Sequence, residues 1–246
     1  MGDHQKRLTA PDSWGIAKKK KKFVAKTAPG PHNRNAMPIA IWLRDQMGLA
    51  KDMKEVRQIL NQKDVILNGR ICRDPNLGIG VFDVISIPRI GKHFTILLNE
   101  HGKIVAKEIS EERSGLRLCK VRDRNFLKGG KVQVNLLYGA NLLTDKQVKP
   151  NDSIVLTLGS PLDSSKKRFE LLDHYPCEAG NYAMVIGGTH SGKVGKIVAV
   201  EKRPGNTPNR VILEDEAAKT RFETIEKYIF MVGRTAEETA RWGAKR

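Results

Sequence analysis

Residues 38–87 read PIAIWLRDQMGLAKDMKEVRQILNQKDVILNGRICRDPNLGIGVFDVISI, and the spacing of the apolar residues changes half-way along. Ile39, Trp42, Leu43 and Met47 recur at helical spacing, and Gly48 then offers a stop. A second helix opens at Asp52, whose carboxylate suits the first turn, with Glu55 three residues on to complete a capping box. Met53, Val56, Ile59 and Leu60 form the buried stripe of this helix, which leaves Lys51, Lys54, Arg57 and Gln58 as a compact basic face. Beyond it, Val65-Ile66-Leu67 and Arg70-Ile71-Cys72 flank Asn68-Gly69. Asn-Gly between apolar runs signals a tight hairpin, because both residues accept positive φ. Gly78 and Gly80 then supply a loop, and Val81 to Ile87 returns as a strand with Asp83 near its start.

Two short helices, the second with a basic face, then a hydrophobic-Asn-Gly-Arg hairpin, a glycine-rich turn and Phe-Asp-Val-Ile-Ser-Ile: this order resembles the S-four RNA-binding module, named after a small-subunit ribosomal protein. The resemblance implies binding of structured RNA, with Lys51, Lys54, Arg57, Asn68 and Arg70 as the candidate contacts. The module also occurs in pseudouridine synthases, RNA methyltransferases and a tyrosyl-tRNA synthetase. The flanking sequence therefore has to decide between them.

The chain has 246 residues, a net charge of +17 and a sequence pI near 9.9, a balance that calls for a polyanionic partner. No apolar run approaches the roughly 18 residues of a membrane span, and the first sixteen residues lack the apolar centre of a signal peptide. A cytoplasmic location without membrane attachment is expected. Cys72, Cys119 and Cys177 are far apart, with no CxxC and no His pair at metal-ligand spacing. They read as small, partly buried residues, with no disulfide framework or zinc site.

Residues 1–37 hold nine Lys or Arg against two acids, a net of +7, so this segment carries nearly half of the charge excess. It contains Lys18, Lys19, Lys20, Lys21 and Lys22 in succession, and Arg34 near its end, among prolines and glycines without hydrophobic period. Such a segment should be an extended, irregular arm in the free protein. Its lysine run becomes tolerable against phosphates, whose condensed counterions are released on binding. Trp14 and Phe23 bracket the run, either to stack on bases or to pack as a small anchor.

From His93 onward the pattern is strand-rich. Phe94, Ile96 and Leu98 alternate, a turn follows at Asn99-Glu100-His101-Gly102, and Ile104-Val105-Ala106 returns. Leu116 to Val121 leads to a second turn, Lys128-Gly129-Gly130-Lys131, with Val132, Val134 and Leu136 on its far side. Lys120, Arg122, Arg124, Lys128 and Lys131 lie around that turn, a basic hairpin tip suited to reach into an RNA groove. Pro150-Asn151-Asp152 marks a turn before a strand from Ser153, and Lys166-Lys167-Arg168 makes a further basic spot.

Gly180 to Val200, GNYAMVIGGTHSGKVGKIVAV, mimics the start of a P-loop, but Val194 stands where Ser or Thr should hold magnesium and β-branched Ile197-Val198 stands where a helix should begin. Strand, glycine-rich turn and strand fit better. The arrangement resembles the KOW motif, and Val211 to Leu213, Thr220 to Phe222 and Tyr228 to Val232 supply further strands for an SH3-like barrel. Lys193 and Lys196 flank the turn, placed to meet RNA phosphate or to remain as solvated loop lysines. Thr235 and Glu238 form a capping box for a short terminal helix with Trp242 as its one large apolar residue, marginal by itself.

No GxSxG, HExxH or dinucleotide fingerprint occurs, nor an Asp in the Arg-Leu-Asp context of pseudouridine synthases. The fold class is mainly β with an α+β RNA-binding module, in several domains: arm 1–37, S-four-like module 38–92, central β-rich domain 93–174, KOW barrel 175–234 and terminal helix 235–246. This succession, with Pro-Gly-Pro-His in the arm and Lys-Gly-Gly-Lys in the centre, is similar to the family of the e-type small-subunit ribosomal protein four, and its centre looks archaeal. The resemblance covers residues 6–234. It implies a non-catalytic constituent of the small ribosomal subunit, joined early in assembly, whose partners are small-subunit rRNA and neighbouring ribosomal proteins. No cofactor, metal, small-molecule substrate, membrane or second copy of the chain is expected. An RNA-modifying enzyme that uses the S-four module for delivery and a KOW-bearing transcription elongation factor are the alternatives.

Overall fold

The computed structural model describes residues 4–32, 36–144, 146–159, 168–216 and 219–243. The chain divides into two compact units, one formed by residues 1–96, 103–115 and 158–167, the other by 97–102, 116–157 and 168–246.

In the first unit, the arm opens with strand β1 (Gln5–Lys6), which pairs with β2 (Phe23–Val24). Strand β3 (Met37–Pro38) runs into helix α1 (Ile39–Ile41), which passes directly into a π-helical turn over Trp42–Gln46 closed by Met47 N–H on the Trp42 carbonyl at 2.9 Å. The stripe expected here is instead a continuous buried block, Ile39 to Leu43, and a fully covered segment has no solvent face to keep in phase. Gly48 ends it with φ +66.

Helix α2 (Met53–Asn61) begins where Asp52 predicts, its carboxylate accepting from the N–H of Lys54 and of Glu55. The reciprocal bond of the box goes one residue further back, from Lys51 N–H to Glu55 Oε2 at 2.6 Å. Val56 and Leu60 are its buried residues. Strands β4 (Ile66–Leu67) and β5 (Arg70–Ile71) form the hairpin, with Asn68 at φ +48 and Gly69 at φ +70. Short β6 (Gly78–Ile79) pairs with β3.

The strand expected from Val81 starts later, as β7 (Val84–Ile87), because Phe82 has φ +62. Strand β8 (Lys92–Leu98) pairs with β7, and β9 (Ile104–Ile109) lies beyond it, giving the order β5-β4-β7-β8-β9. The expected boundary at 92/93 therefore falls inside a strand, since alternation marks a strand without saying which sheet it joins. Trp42 meets the Phe94 ring edge-on at 5.5 Å, joining helical layer to sheet. Helix α3 (Glu111–Ser114) completes this unit.

The second unit starts with the long β10 (Leu116–Phe126), whose first half pairs with β13 (Ser153–Thr157) and whose second half pairs with β11 (Val132–Leu136). The register slips between Val121 and Asp123, so Arg122 is the extra residue of a bulge where the strand changes partner. With β12 (Asn141–Leu143) and β14 (Leu171–Tyr175) the order is β12-β11-β10-β13-β14. Its core gathers Val121, Val134, Leu136, Val148, Ile154 and Leu156.

A second antiparallel sheet follows: β15 (Tyr182–Val185), β16 (Val194–Glu201), β17 (Arg210–Asp215), β18 (Thr220–Ile225) and β19 (Ile229–Gly233), in the order β18-β17-β16-β15-β19. The P-loop mimic is the turn between β15 and β16, as its β-branched residues require. Helix α4 (Ala236–Arg241) is capped by Thr235, and Trp242 behind it is buried. The terminal helix thus has its packing partners within its own unit. Cys72 and Cys119 are buried, Cys177 half-buried, and all three are free thiols; burial pushes the thiols of Cys72 and Cys177 up to about 11. No described helix is long and apolar enough to cross a membrane.

Candidate nucleic-acid interface

The basic face of α2 carries Lys54 and Arg57, and Lys51 stands just before the Asp52 cap. Lys51, Lys54 and Arg57 are all exposed. The N–H groups of Glu55 and then Lys54 hold the Asp52 carboxyl below its ordinary range, with smaller help from the charges of Lys54 and Lys21. Lys21 of the arm thus adds to the positive field at the start of α2. Lys19, Lys20, Lys21 and Lys22 are exposed, and Lys22 stands 5.4 Å from the Phe23 ring centre. Lys18 is half-buried and paired with Asp12. Arg34, and Lys166 with Lys167 of the further basic spot, lie outside the described residues.

The arm departs from the irregular chain expected of it. Trp14 is 1 % exposed and its indole N–H donates to the Ala36 carbonyl at 3.1 Å, so of the two roles open to it the anchor is the one it fills. Arg7 is buried as well, with Nε on the Ala17 carbonyl at 2.6 Å and a guanidinium nitrogen 3.3 Å from Asp45. The sequence left the Trp14 anchor open and gave no sign of the buried Arg7, because apolar residues too few for a period still suffice for an anchor. Phe23 remains 47 % exposed, tilted against His4 at 5.5 Å.

Asp83 ties the arm to the module. Its carboxylate meets His32 Nε2 at 2.6 Å, accepts from Asn68 Nδ2 at 2.8 Å and accepts from the Gly80 N–H at 2.9 Å. A side chain at Gly80 would collide with the imidazole, since a Cβ there would sit 2.2 Å from His32 Nδ1. The Asn68 amide oxygen takes the Val84 N–H at 2.9 Å. Both ends of the Asn68 side chain are thus engaged inside the fold, and the carbonyl of Gly159 occupies the space beside Gly69. Half-buried Asn68 thus fastens the hairpin, whose tip needs αL residues, and its side-chain amide finds its partners within the fold. Arg70 is exposed.

In the second unit Arg122, Arg124, Lys128 and Lys131 are all exposed around the β10–β11 tip. Lys120 is not one of them. It is buried, and its ammonium donates to the carbonyls of Glu226, Lys227 and Ile229 at 3.1, 3.2 and 2.7 Å. Burial pulls its pKa down to about 8, against raising contributions from Cys177 and Glu226. Lys120 shares its strand face with Leu118, and the turn before β19 covers that face. A cleft of about 350 Å³ lies alongside, walled by Lys120, Arg122, Asn209 and Lys227 among others, and Asn209 Nδ2 is held by Glu226 at 2.7 Å. Lys193 and Lys196 are exposed, and Lys193 lies 5.6 Å from the Phe222 ring centre. Phe126 at the hairpin tip, not singled out from the sequence, is 74 % exposed.

Three family models match parts of the chain: the RS4NT (NUC023) domain over residues 1–35, the Ribosomal family S4e over 90–161 and the KOW motif over 179–214. The protein named small ribosomal subunit protein eS4 in Methanospirillum hungatei is 49 % identical over 243 residues, covering 99 % of each chain. The chain belongs to the eS4 family. The eS4 proteins of Archaeoglobus fulgidus and Methanothermobacter thermautotrophicus are 37 % and 34 % identical, each alignment covering 94 % of this chain and 93 % and 92 % of theirs. The crystal structure of the 30S ribosomal protein S4e from Thermoplasma acidophilum shares the fold, with a TM-score of 0.65, 24 % identity and coverage of 81 % of this chain and 96 % of that one. This chain is thus mainly β with a KOW motif over residues 179–214, and the solved S4e structure shares its fold.

Proposed function

We infer that this eS4-family chain is a structural constituent of the small ribosomal subunit of archaeal type, binding and stabilising small-subunit rRNA from early in assembly, beside neighbouring ribosomal proteins and as a single copy. The observation that carries this is the pairing of end-to-end likeness to eS4 proteins with cations left exposed on and beside a helix: Lys54 and Arg57 on α2 and Lys51 just before its cap. Cations at fixed spacing suit the phosphates of a folded RNA, and each contact adds affinity as counterions leave. Arg70, the lysines from Lys19 to Lys22, the tip residues Arg122, Arg124, Lys128 and Lys131, and Lys193 with Lys196 widen the footprint. The role is structural, and no residue is assigned to catalysis.

Sedimentation tests the reading. The protein should remain stoichiometric with small subunits after a high-salt wash, whereas a modifying enzyme or a transcription factor would wash off. Replacing Lys51, Lys54 and Arg57 together by Gln should lower the salt slope of rRNA binding by about 0.9 for each phosphate that is no longer neutralised; an unchanged slope would remove these residues from the interface.

A further inference from the structure

We propose that Phe126 is a base-stacking residue, held at the tip of the β10–β11 hairpin to take an unpaired base of the RNA whose phosphates the surrounding cations bind. The proposal rests on the rRNA-binding reading above and adds to it a kind of contact that charge alone does not supply.

The strand register puts Phe126 opposite Val132, and Arg124 opposite Val134. Val134 belongs to the central core and Val132 packs against that core, but Phe126 has passed beyond its end and is 74 % exposed. Leu127 next to it is also exposed. A large ring in water at a hairpin tip gives the free fold almost no burial, and the next residues, Lys128-Gly129-Gly130-Lys131, adopt a glycine turn that needs no aromatic neighbour: Gly129 and Gly130 have φ +83 and +75 with open space around them. Among the described residues the ring has one cationic face partner, the Arg124 guanidinium, 6.0 Å from its centre.

Charge selects the occupant. From Arg122 to Lys131 there are four cations and one acid, and that acid, Asp123, is engaged by Arg122 at 3.6 Å and by the Asn135 amide. An apolar protein surface would have to desolvate Arg124, Lys128 and Lys131, whereas a nucleotide offers a π-face to Phe126 and phosphates to those three cations. Aromatic stacking of bases beside a cationic track is the recurring way single-stranded or looped RNA is held. The bulge at Arg122 bends the strand that carries the tip.

The test uses the full chain and in vitro transcribed full-length small-subunit rRNA from the same organism, without other proteins. Phe126→Ala should weaken binding by about 5- to 100-fold with the salt slope unchanged, because a base loses its stacking platform while every phosphate keeps its cation. Phe126→Leu should weaken binding as much, and Phe126→Tyr should bind within about 3-fold of wild type. In Phe126→Trp the added emission should be quenched on RNA binding; the native Trp14, Trp42 and Trp242 are buried, and the unsubstituted protein provides the baseline. Unchanged affinity in Phe126→Ala, or full affinity in Phe126→Leu, overturns the stacking role. Undiminished binding to naked rRNA combined with poor incorporation into subunits assigns the ring to a protein neighbour and overturns it too. Should wild-type protein fail to bind the rRNA in a salt-dependent way, the underlying rRNA reading fails, separately from Phe126.

Discussion

Replacing Lys120 by Met removes an ammonium of similar length to the new side chain and leaves the carbonyls of Glu226, Lys227 and Ile229 without that donor. Of the three bonds only that to Ile229 is buried, and the Glu226 carbonyl keeps the Ile229 N–H, so one buried acceptor loses its donor, a loss of about 1–3 kcal/mol at pH 7. The pH dependence is the sharper signature. In the unfolded chain the lysine keeps its proton up to about its ordinary value of 10.5, whereas in the fold it loses it near 8 because burial disfavours the charge. Between those values the unfolded state binds more protons, so the Lys120 contribution to stability rises with pH, by about 3 kcal/mol in all. The stability gap between wild type and Lys120→Met should therefore widen from pH 7 to pH 10. Cys177 acts in the opposite sense: its thiol is pushed up to about 11, so it contributes stability below pH 9 that is lost as pH rises toward that value. Comparing two proteins that both retain Cys177 removes most of its effect. Urea unfolding followed by the amide signals of β15 and β19, at steps between pH 7 and pH 10, measures the gap. A constant or narrowing gap would refute the view that Lys120 is a desolvated ammonium clamped to the turn before β19.

Three further outcomes follow from the same contacts. Gly80→Ala should drive His32 off Asp83 and lower the stability of the first unit by about 1–3 kcal/mol, seen as a lower thermal midpoint; an unchanged midpoint would mean that the 2.2 Å collision is relieved without cost. Amide exchange of the RNA-free protein should protect the N–H groups of Arg7 and Trp14, which bond to Lys22 and Pro11 carbonyls, while Lys19 to Lys21 exchange freely; uniform fast exchange across residues 5–24 would return the arm to irregular chain. Thr235→Ala should cost about 1 kcal/mol at the start of α4 and speed exchange at Thr239 and Trp242, whose N–H groups bond to the Thr235 and Thr239 carbonyls along that helix, without altering rRNA affinity.

The local rules worked where a residue's role depends on its sequence neighbours. Asp52 caps α2, Asn68-Gly69 turns a hairpin with both residues at positive φ, and Gly187 to Lys193 turns between strands because Ile197 and Val198 cannot open a helix well. Where a role depends on what packs from far along the chain, the same rules failed. The lysine run and its prolines suggested irregular chain, yet Trp14 and Arg7 fasten the arm, and alternation from Phe94 onward did not show that β8 continues the sheet of β7.

Lys120 and Asn68 mark that boundary most clearly. By sequence both are polar residues at turns, the usual mark of exposure, yet Lys120 is buried and Asn68 half-buried, each engaged by partners distant in the chain, Glu226 to Ile229 for one and Asp83 with Val84 for the other. What the sequence by itself determined was the order of elements, the basic faces and the family, since periodicity, charge and motif order are properties of the string. Which cations stay free for phosphate, and that a phenylalanine stands exposed among them, was decided by tertiary structure alone, because exposure is a property of what covers a residue.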